Sequence, residues 1–161
     1  MKSKFKTLEE LKKTVKAIRS SGQKVVFTNG CFDILHVGHV RYLKDAKELG
    51  HYLIIAINSD SSVRGLKGDK RPIVSQSERA EVLASLQSVD FVTIFDEPDP
   101  FNVINEIKPD FLVKGGDWGE GEIIGSDIVE ENGGKVLRIP FIEGSSSTNI
   151  VETIIERYCG A

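Results

Sequence analysis

Apolar residues follow two alternating rhythms along the chain. Leu8, Leu11, Val15 and Ile18 recur at helical spacing behind Thr7-Leu8-Glu9-Glu10, where a Thr is followed three residues later by Glu. That pattern predicts an amphipathic helix over 8–20, ended by Gly22. The run KVVFT (24–28) is short and β-branched and reads as a buried strand. A helix is expected over 34–49, with Val40, Leu43 and Ala46 on one face and Gly50 as its stop. YLIIAIN (52–58) is the next strand, and the polar run SDSSVRGLKGDKRPIV behind it reads as a loop. Ser75-Gln76-Ser77-Glu78 opens a further helix to about residue 86, and FVTIF (91–95) is strand. Asp99-Pro100 reads as an N-cap with Pro at the first helical position, and that helix must stop before Pro109. FLVKG (111–115) and KVLRI (135–139) are strands around a short helix near 126–132. A serine-capped helix with Ile150, Ile154 and Ile155 closes the chain.

Five strands thus alternate with helices, and they look apolar throughout, as strands do when both faces are covered. Such alternation means a parallel sheet with right-handed crossovers. The expected fold class is α/β: one doubly wound, Rossmann-like domain spanning 1–161, strand order 3-2-1-4-5, with 1–22 as an N-terminal helical extension. The length of 161 residues suits one domain, and 40% hydrophobic with 28% charged residues is an ordinary globular mix. Net charge is −3, which argues against nucleic acid or an anionic membrane as partner, although a local pocket can still be basic. Cys31 and Cys159 form neither a C-x-x-C pair nor a zinc spacing. No signal-peptide core or spanning run is evident, so a cytoplasmic protein is expected.

Ligands of open α/β sheets bind beyond the carboxyl ends of the strands, where strand order reverses. The loops that follow the strands carry the unusual polar residues. Behind strand one stands TNGCFDILHVGH (28–39), with two of the three histidines, His36 and His39, three apart. If the helix starts near Ile34, both face one way beside unsatisfied N–H groups and a partial positive charge, a place for a phosphate. A metal pair or ordinary surface histidines are the other readings, although His51 is too far along the helix to be a third ligand. Asn29-Gly30 permits a tight turn and close approach to a ligand. Asp33 could hold magnesium, orient a histidine, or cap the helix. Cys31 reads as a small loop residue, not a nucleophile.

Arg64, Lys67, Lys70 and Arg71 behind strand two are either a solvated basic loop or arms that close over phosphates, and Arg79 could join them. The acidic DEPDP behind strand three looks like a plain turn. VKGGDWGEGE, behind strand four, combines Lys114, Gly115 and Asp117 with Trp118, which could stack on a ligand or simply pack. Ser145, Ser146, Ser147 and Thr148 at the last helix start are ordinary caps or a second anion cradle. A site rich in phosphate binders and poor in nucleophiles fits direct in-line transfer, catalysed by positioning and charge stabilisation.

HVGH (36–39) resembles the H-x-G-H signature of the HIGH-motif nucleotidyltransferases, and SSTNI (146–150) resembles their second signature. TNGCFDILHVGHVRYLKDAKELG, NSDSSVRGLKGDKRPI, LVKGGDW and GGKVLRIP with GSSSTNI together resemble the D-glycero-β-D-manno-heptose 1-phosphate adenylyltransferases, in order, from about residue 24 to the end. With no kinase half in view, the chain resembles the stand-alone form. The resemblance implies that ATP and heptose 1-phosphate give ADP-heptose and pyrophosphate, with Mg²⁺ accompanying ATP. It assigns catalysis to His36, His39 and Lys67. It assigns nucleotide binding to Asn29, Gly30, Cys31, Phe32, the two histidines, Lys114, Gly115, Asp117, Ser146, Ser147 and Thr148. Asp33, Lys67, Arg71 and Arg79 would bind the substrate. It further implies a homodimer, with the N-terminal helix as a contributor, and a final use in lipopolysaccharide core. Two departures stand out. Phe141-Ile142-Glu143-Gly144 replaces the Arg-Thr-Glu-Gly of related cytidylyltransferases, and Ser147 stands where close relatives have Thr. Glycerol 3-phosphate cytidylyltransferase is the nearest rival reading, and a silent nucleotide-binding module is a rival of another class.

Overall fold

The computed structural model describes residues 3–116, 123–140, 144 and 146–160. In chain order the elements are α1 (Leu8–Ser20), β1 (Val25–Gly30), α2 (Val37–Glu48), β2 (Tyr52–Asn58), α3 (Asp60–Lys67), α4 (Gln76–Ser85) and β3 (Phe91–Phe95). Then follow α5 (Phe101–Ile107), β4 (Phe111–Gly115), α6 (Ser126–Glu131), β5 (Lys135–Ile139) and α7 (Ser147–Cys159). All strand pairs are parallel, and the order is β3-β2-β1-β4-β5, the doubly wound arrangement expected from the alternation.

The two-residue period of a strand splits the apolar side chains between two cores. Val25, Phe27, Ile54, Ala56 and Leu112 point to one side, where Leu11, Val15 and Ile18 of α1 and Val103, Ile104 and Ile107 of α5 cover them. Val26, Leu53, Ile55, Ile57 and Val113 point to the other, under Leu43 and Ala46 of α2 and Leu83 of α4. Each fully buried Val, Leu, Ile or Phe side chain among them contributes about 1.5–3 kcal/mol. The capping boxes at Thr7 and Ser75 form as expected. The N-terminal segment also covers the outer edge of β3: Lys6 N donates to Val92 O at 2.9 Å, and Val92 N donates to Lys4 O at 3.0 Å.

Several expectations are corrected. Residues 60–67 are helical, not loop. Ser59 caps them by accepting from Ser62 N at 3.2 Å. Val63 is fully buried, and Gly65, inside that polar run, has nothing close to its Cβ position. Helix α2 begins at Val37, so His36 is its N-cap, in extended backbone (φ −138°, ψ 172°), and not a first-turn residue. The turn before it is made by Phe32, whose φ of 47° is left-handed, while Gly30 still belongs to β1. Pro100, not Asp99, is the N-cap of α5, and Asp99 Oδ1 accepts from Phe101 N at 2.9 Å. Strand β5 is not apolar throughout: it pairs only with β4 and exposes Lys135 and Arg138. Helix α7 buries none of its residues, and Ile154 and Ile155 are about half exposed.

Candidate active site

A cleft of about 830 Å³ opens at the carboxyl ends of the strands. It lies over β1 and β4, the neighbours whose crossovers run in opposite directions, which is where an open α/β sheet leaves room for a ligand. Asn29, Gly30, Cys31 and Phe32 supply its floor at the end of β1, and Lys114 and Gly115 supply it at the end of β4. His36, His39, Lys67 and Arg71 line the cleft, together with Ser146, Ser147 and Thr148. The starts of α2 and α7 are tied together, since Ser147 Oγ donates to Ile34 O at 3.1 Å. The two sequence signatures, more than a hundred residues apart, therefore face one cavity.

The imidazoles of His36 and His39 stack with centroids 3.9 Å apart at 28°, and Phe32 lies 5.1 Å from His39. Both Nδ1 atoms are buried without a hydrogen-bond partner among the described residues. Burial lowers the His36 pKa. Burial, followed by the neighbouring His36 and Lys67 charges, pulls His39 down to about 4. Two neutral rings can stack this closely at pH 7, whereas two imidazolium ions would repel. An anion entering between the helix starts would offset that repulsion and give the rings something to donate to.

The floor is a polar network. Lys114 Nζ donates to Asn29 Oδ1 across β1 and β4, and burial pulls its pKa down to about 8. Tyr42, unflagged by its sequence context, donates its hydroxyl to Val113 O at 3.1 Å and lies 2.7 Å from Thr28 Oγ1. Burial pushes its pKa up to about 12, so it remains a phenol. Cys31 Sγ reaches Asn58 Oδ1 at 3.8 Å, and its pKa is raised by burial, which keeps it a thiol and a poor nucleophile.

Two expected substrate ligands are placed differently. Arg79 is only 2% exposed and does not line the cleft. Its Nη1 donates to Cys31 O (2.6 Å) and Asn58 O (2.9 Å), its Nε to Val74 O (3.0 Å), and its Nη2 to Asp60 Oδ1 (2.7 Å). It ties β1, β2 and the following loop together beneath the site. Asp33 lines the cleft but neither caps α2 nor touches a histidine, because its oxygens are taken by the backbone of Ile73 and Val74 and by Arg71. Asp117 and Trp118 lie outside the described residues. The sequence also missed lining residues. Pro98, Asp99 and Pro100, read as a plain turn, line the cleft, as do Ile123 and Ile124. Only the position of Pro98–Pro100 behind a strand end could have signalled them. Among the described residues no three His, Cys, Asp or Glu side chains converge to hold a metal ion.

Fold and cleft together define a doubly wound α/β protein whose switch-point cavity is lined by imidazole, ammonium, guanidinium and helix-start donors suited to phosphate. The chain belongs to the cytidylyltransferase-like family, whose model matches residues 27–153. It is 50% identical over 156 residues to the bifunctional protein HldE of Trichlorobacter lovleyi, covering 97% of this chain and 32% of that one. It is 54% identical over 148 residues to the HldE of a Nitratiruptor species, covering 92% and 31% respectively. The chain therefore spans about a third of the length of these curated relatives. Among solved structures it resembles the lipopolysaccharide core biosynthesis protein of Thermoplasma volcanium, with 30% identity and a TM-score of 0.62, over 77% of this chain and all of that one.

Proposed function

We propose that the chain is an adenylyltransferase that converts ATP and D-glycero-β-D-manno-heptose 1-phosphate into ADP-heptose and pyrophosphate. The observation that carries this reading is the convergence of His36 and His39 with Ser146–Thr148, Lys67 and Arg71 on one cleft. The similarity to HldE and to a lipopolysaccharide core biosynthesis protein supports the sugar.

In this mechanism a non-bridging oxygen of the sugar phosphate attacks the α-phosphorus of ATP. The new P–O bond forms as the bond from the α-phosphorus to the bridging oxygen breaks, and that oxygen leaves with its electron pair on pyrophosphate. A phosphate monoester is largely dianionic at pH 7, with a second pKa of about 6, so the attack needs no general base. The protein's part is placement and charge compensation. His36 and His39 donate to the phosphoryl oxygens as charge builds, Ser146–Thr148 hold the departing phosphates at the start of α7, and Lys67 covers them. Asn29, Lys114 and Gly115 face the nucleotide, and Arg71 faces the sugar phosphate. Magnesium would neutralise part of the triphosphate charge. With no carboxylate cluster among the described residues, it fits as an ion held chiefly by phosphate oxygens and water. The enzyme is read as a cytoplasmic homodimer, in keeping with ATP as substrate and with the exposed apolar residues of α7. No helix among the described residues is long and apolar enough to cross a membrane.

The test is pyrophosphate release with each nucleoside triphosphate, paired with heptose 1-phosphate or glycerol 3-phosphate. ATP with heptose 1-phosphate should be the productive pair. Turnover confined to CTP and glycerol 3-phosphate would replace the substrate assignment, and nucleotide binding without turnover of any pair would make the chain a silent module.

A further inference from the structure

We infer that Asp33 is a positioning residue that fixes Arg71 as the clamp for the acceptor's phosphate. The inference rests on the proposed transfer to a sugar phosphate. The Asp33 side chain is 1% exposed, yet it belongs to no ion cluster and caps no helix. Its oxygens accept four bonds from one segment: Oδ1 from Ile73 N and Val74 N, both at 2.8 Å, and Oδ2 from Ile73 N at 3.0 Å and Arg71 Nε at 2.5 Å. With its lone pairs so occupied, the carboxylate is poorly placed to ligate magnesium or meet a sugar hydroxyl.

What it holds is the strap between α3 and α4. The strap leaves α3 at Gly68, turns through a bond from Arg71 N to Gly68 O at 3.1 Å, and ends at the capped start of α4. Its apolar residues give it only a partial anchor, since Ile73 is 57% exposed and Pro72 and Val74 are only half-buried. Asp33 is therefore its main polar attachment to the body of the domain.

The choice of nitrogen matters. Asp33 takes Arg71 by Nε, and the two terminal nitrogens have no partner among the described residues, while the side chain lines the cleft. A guanidinium gripped from behind presents its remaining donors as a fork, the geometry that suits two oxygens of one phosphate. A lysine could not be held and aimed in this way. The carboxylate also offsets some of the positive charge, so the arrangement trades attraction for orientation.

Steady-state kinetics of Asp33→Asn, Arg71→Ala and the double variant test this, with KM measured separately for heptose 1-phosphate and ATP. A charge-assisted bond to phosphate is worth about 1.5–3 kcal/mol, which corresponds to about 10- to 150-fold in affinity. Arg71→Ala should raise the sugar-phosphate KM by that order, Asp33→Asn by about tenfold, and the ATP KM should move less than about twofold. The double variant should be no worse than Arg71→Ala, because Asp33 acts through Arg71. Multiplying losses, or an equal rise in the ATP KM, would overturn the proposal. If Asp33→Asn does not fold, Arg71→Lys decides: it should lose nearly as much as Arg71→Ala, and a lysine that binds the acceptor as well as arginine would refute the clamp. Wild-type enzyme that turns over no sugar phosphate would refute the proposed function instead. Titration of the same variants with inorganic phosphate then reads the clamp directly, with weakened binding and the same non-additivity expected.

Discussion

Replacing Arg79 by methionine should unfold the protein more readily and should not selectively weaken substrate binding. Methionine preserves much of the apolar stem while deleting every donor. The change strands Cys31 O, Asn58 O and Val74 O and removes the partner of Asp60. Asn58 is only 4% exposed, so its carbonyl finds no water and bears the full loss, about 1–3 kcal/mol. The other carbonyls belong to partly exposed residues and recover some solvation, and the Asp60 side chain is 27% exposed and recovers more. The sum is about 3–5 kcal/mol, the range found when one partner of a buried charged network is removed. Domains of this kind have about 5–15 kcal/mol in total, and 1 kcal/mol moves Tm by about 2–4 °C at this size. A fall of about 6–20 °C in Tm is expected, with a matching shift of the urea midpoint at unchanged slope. Circular dichroism melts with and without ATP provide the assay. A variant of wild-type stability whose only defect is a raised sugar-phosphate KM would show that Arg79 is a substrate ligand and that the burial argument is wrong.

His39 has its pKa pulled down to about 4 by burial and then by His36 and Lys67, so below the ordinary value of 6.5 the unfolded chain takes up a proton that the folded chain refuses. Stability should therefore fall as pH drops from about 6.5 towards 4. The ceiling is about 2 kcal/mol at pH 5, or nearer 1 after allowing for solvent screening of a partly exposed ring. Urea melts at pH 7.5 and 5 should show this loss, and His39→Ala should flatten the dependence; an unchanged slope would contradict it. Lys114 has burial pulling its pKa down to about 8, and Asn29 is its hydrogen-bond partner. Lys114→Met should leave the unfolding free energy within about 1 kcal/mol or raise it, while weakening ATP about tenfold in a binding titration. Tyr42→Phe removes the donor to Val113 O and should cost about 1–2 kcal/mol in the same melts.

The strands and capped helices were legible because their signals are local. β-branched runs bounded by turn residues, and Thr7 or Ser75 followed three residues later by Glu, act over a few positions, so β1 to β4, α1 and α4 emerge within a residue or two. Placing five alternating strands in one parallel sheet also put the polar loops on one edge, and most of the candidate residues do meet there. What escaped is non-local. Helix α3 was lost because Gly65 and a polar run mimic a loop, whereas the burial of Val63 and the bond from Ser62 Oγ to Glu97 O decide the matter. Arg79 sits beneath the cleft because two carbonyls from distant segments, Cys31 O and Asn58 O, converge on it, and nothing in its sequence neighbours reveals them. Asp33 could be placed near the site, but its partners lie 38 to 41 residues away and only the folded chain brings them together. The contribution of Pro98–Pro100 to the cleft follows from where α5 begins, not from what those residues are.

The central claim is that the stacked imidazoles and the start of α7 serve one triphosphate. Pyrophosphate release from ATP and heptose 1-phosphate, compared between wild type and the His36→Ala/His39→Ala double variant at matched stability, tests it most directly. The kcat of the double variant should fall by at least about 10³-fold, since each donor to a developing charge is worth about 10²–10³. A double variant that releases pyrophosphate at the wild-type rate would contradict it.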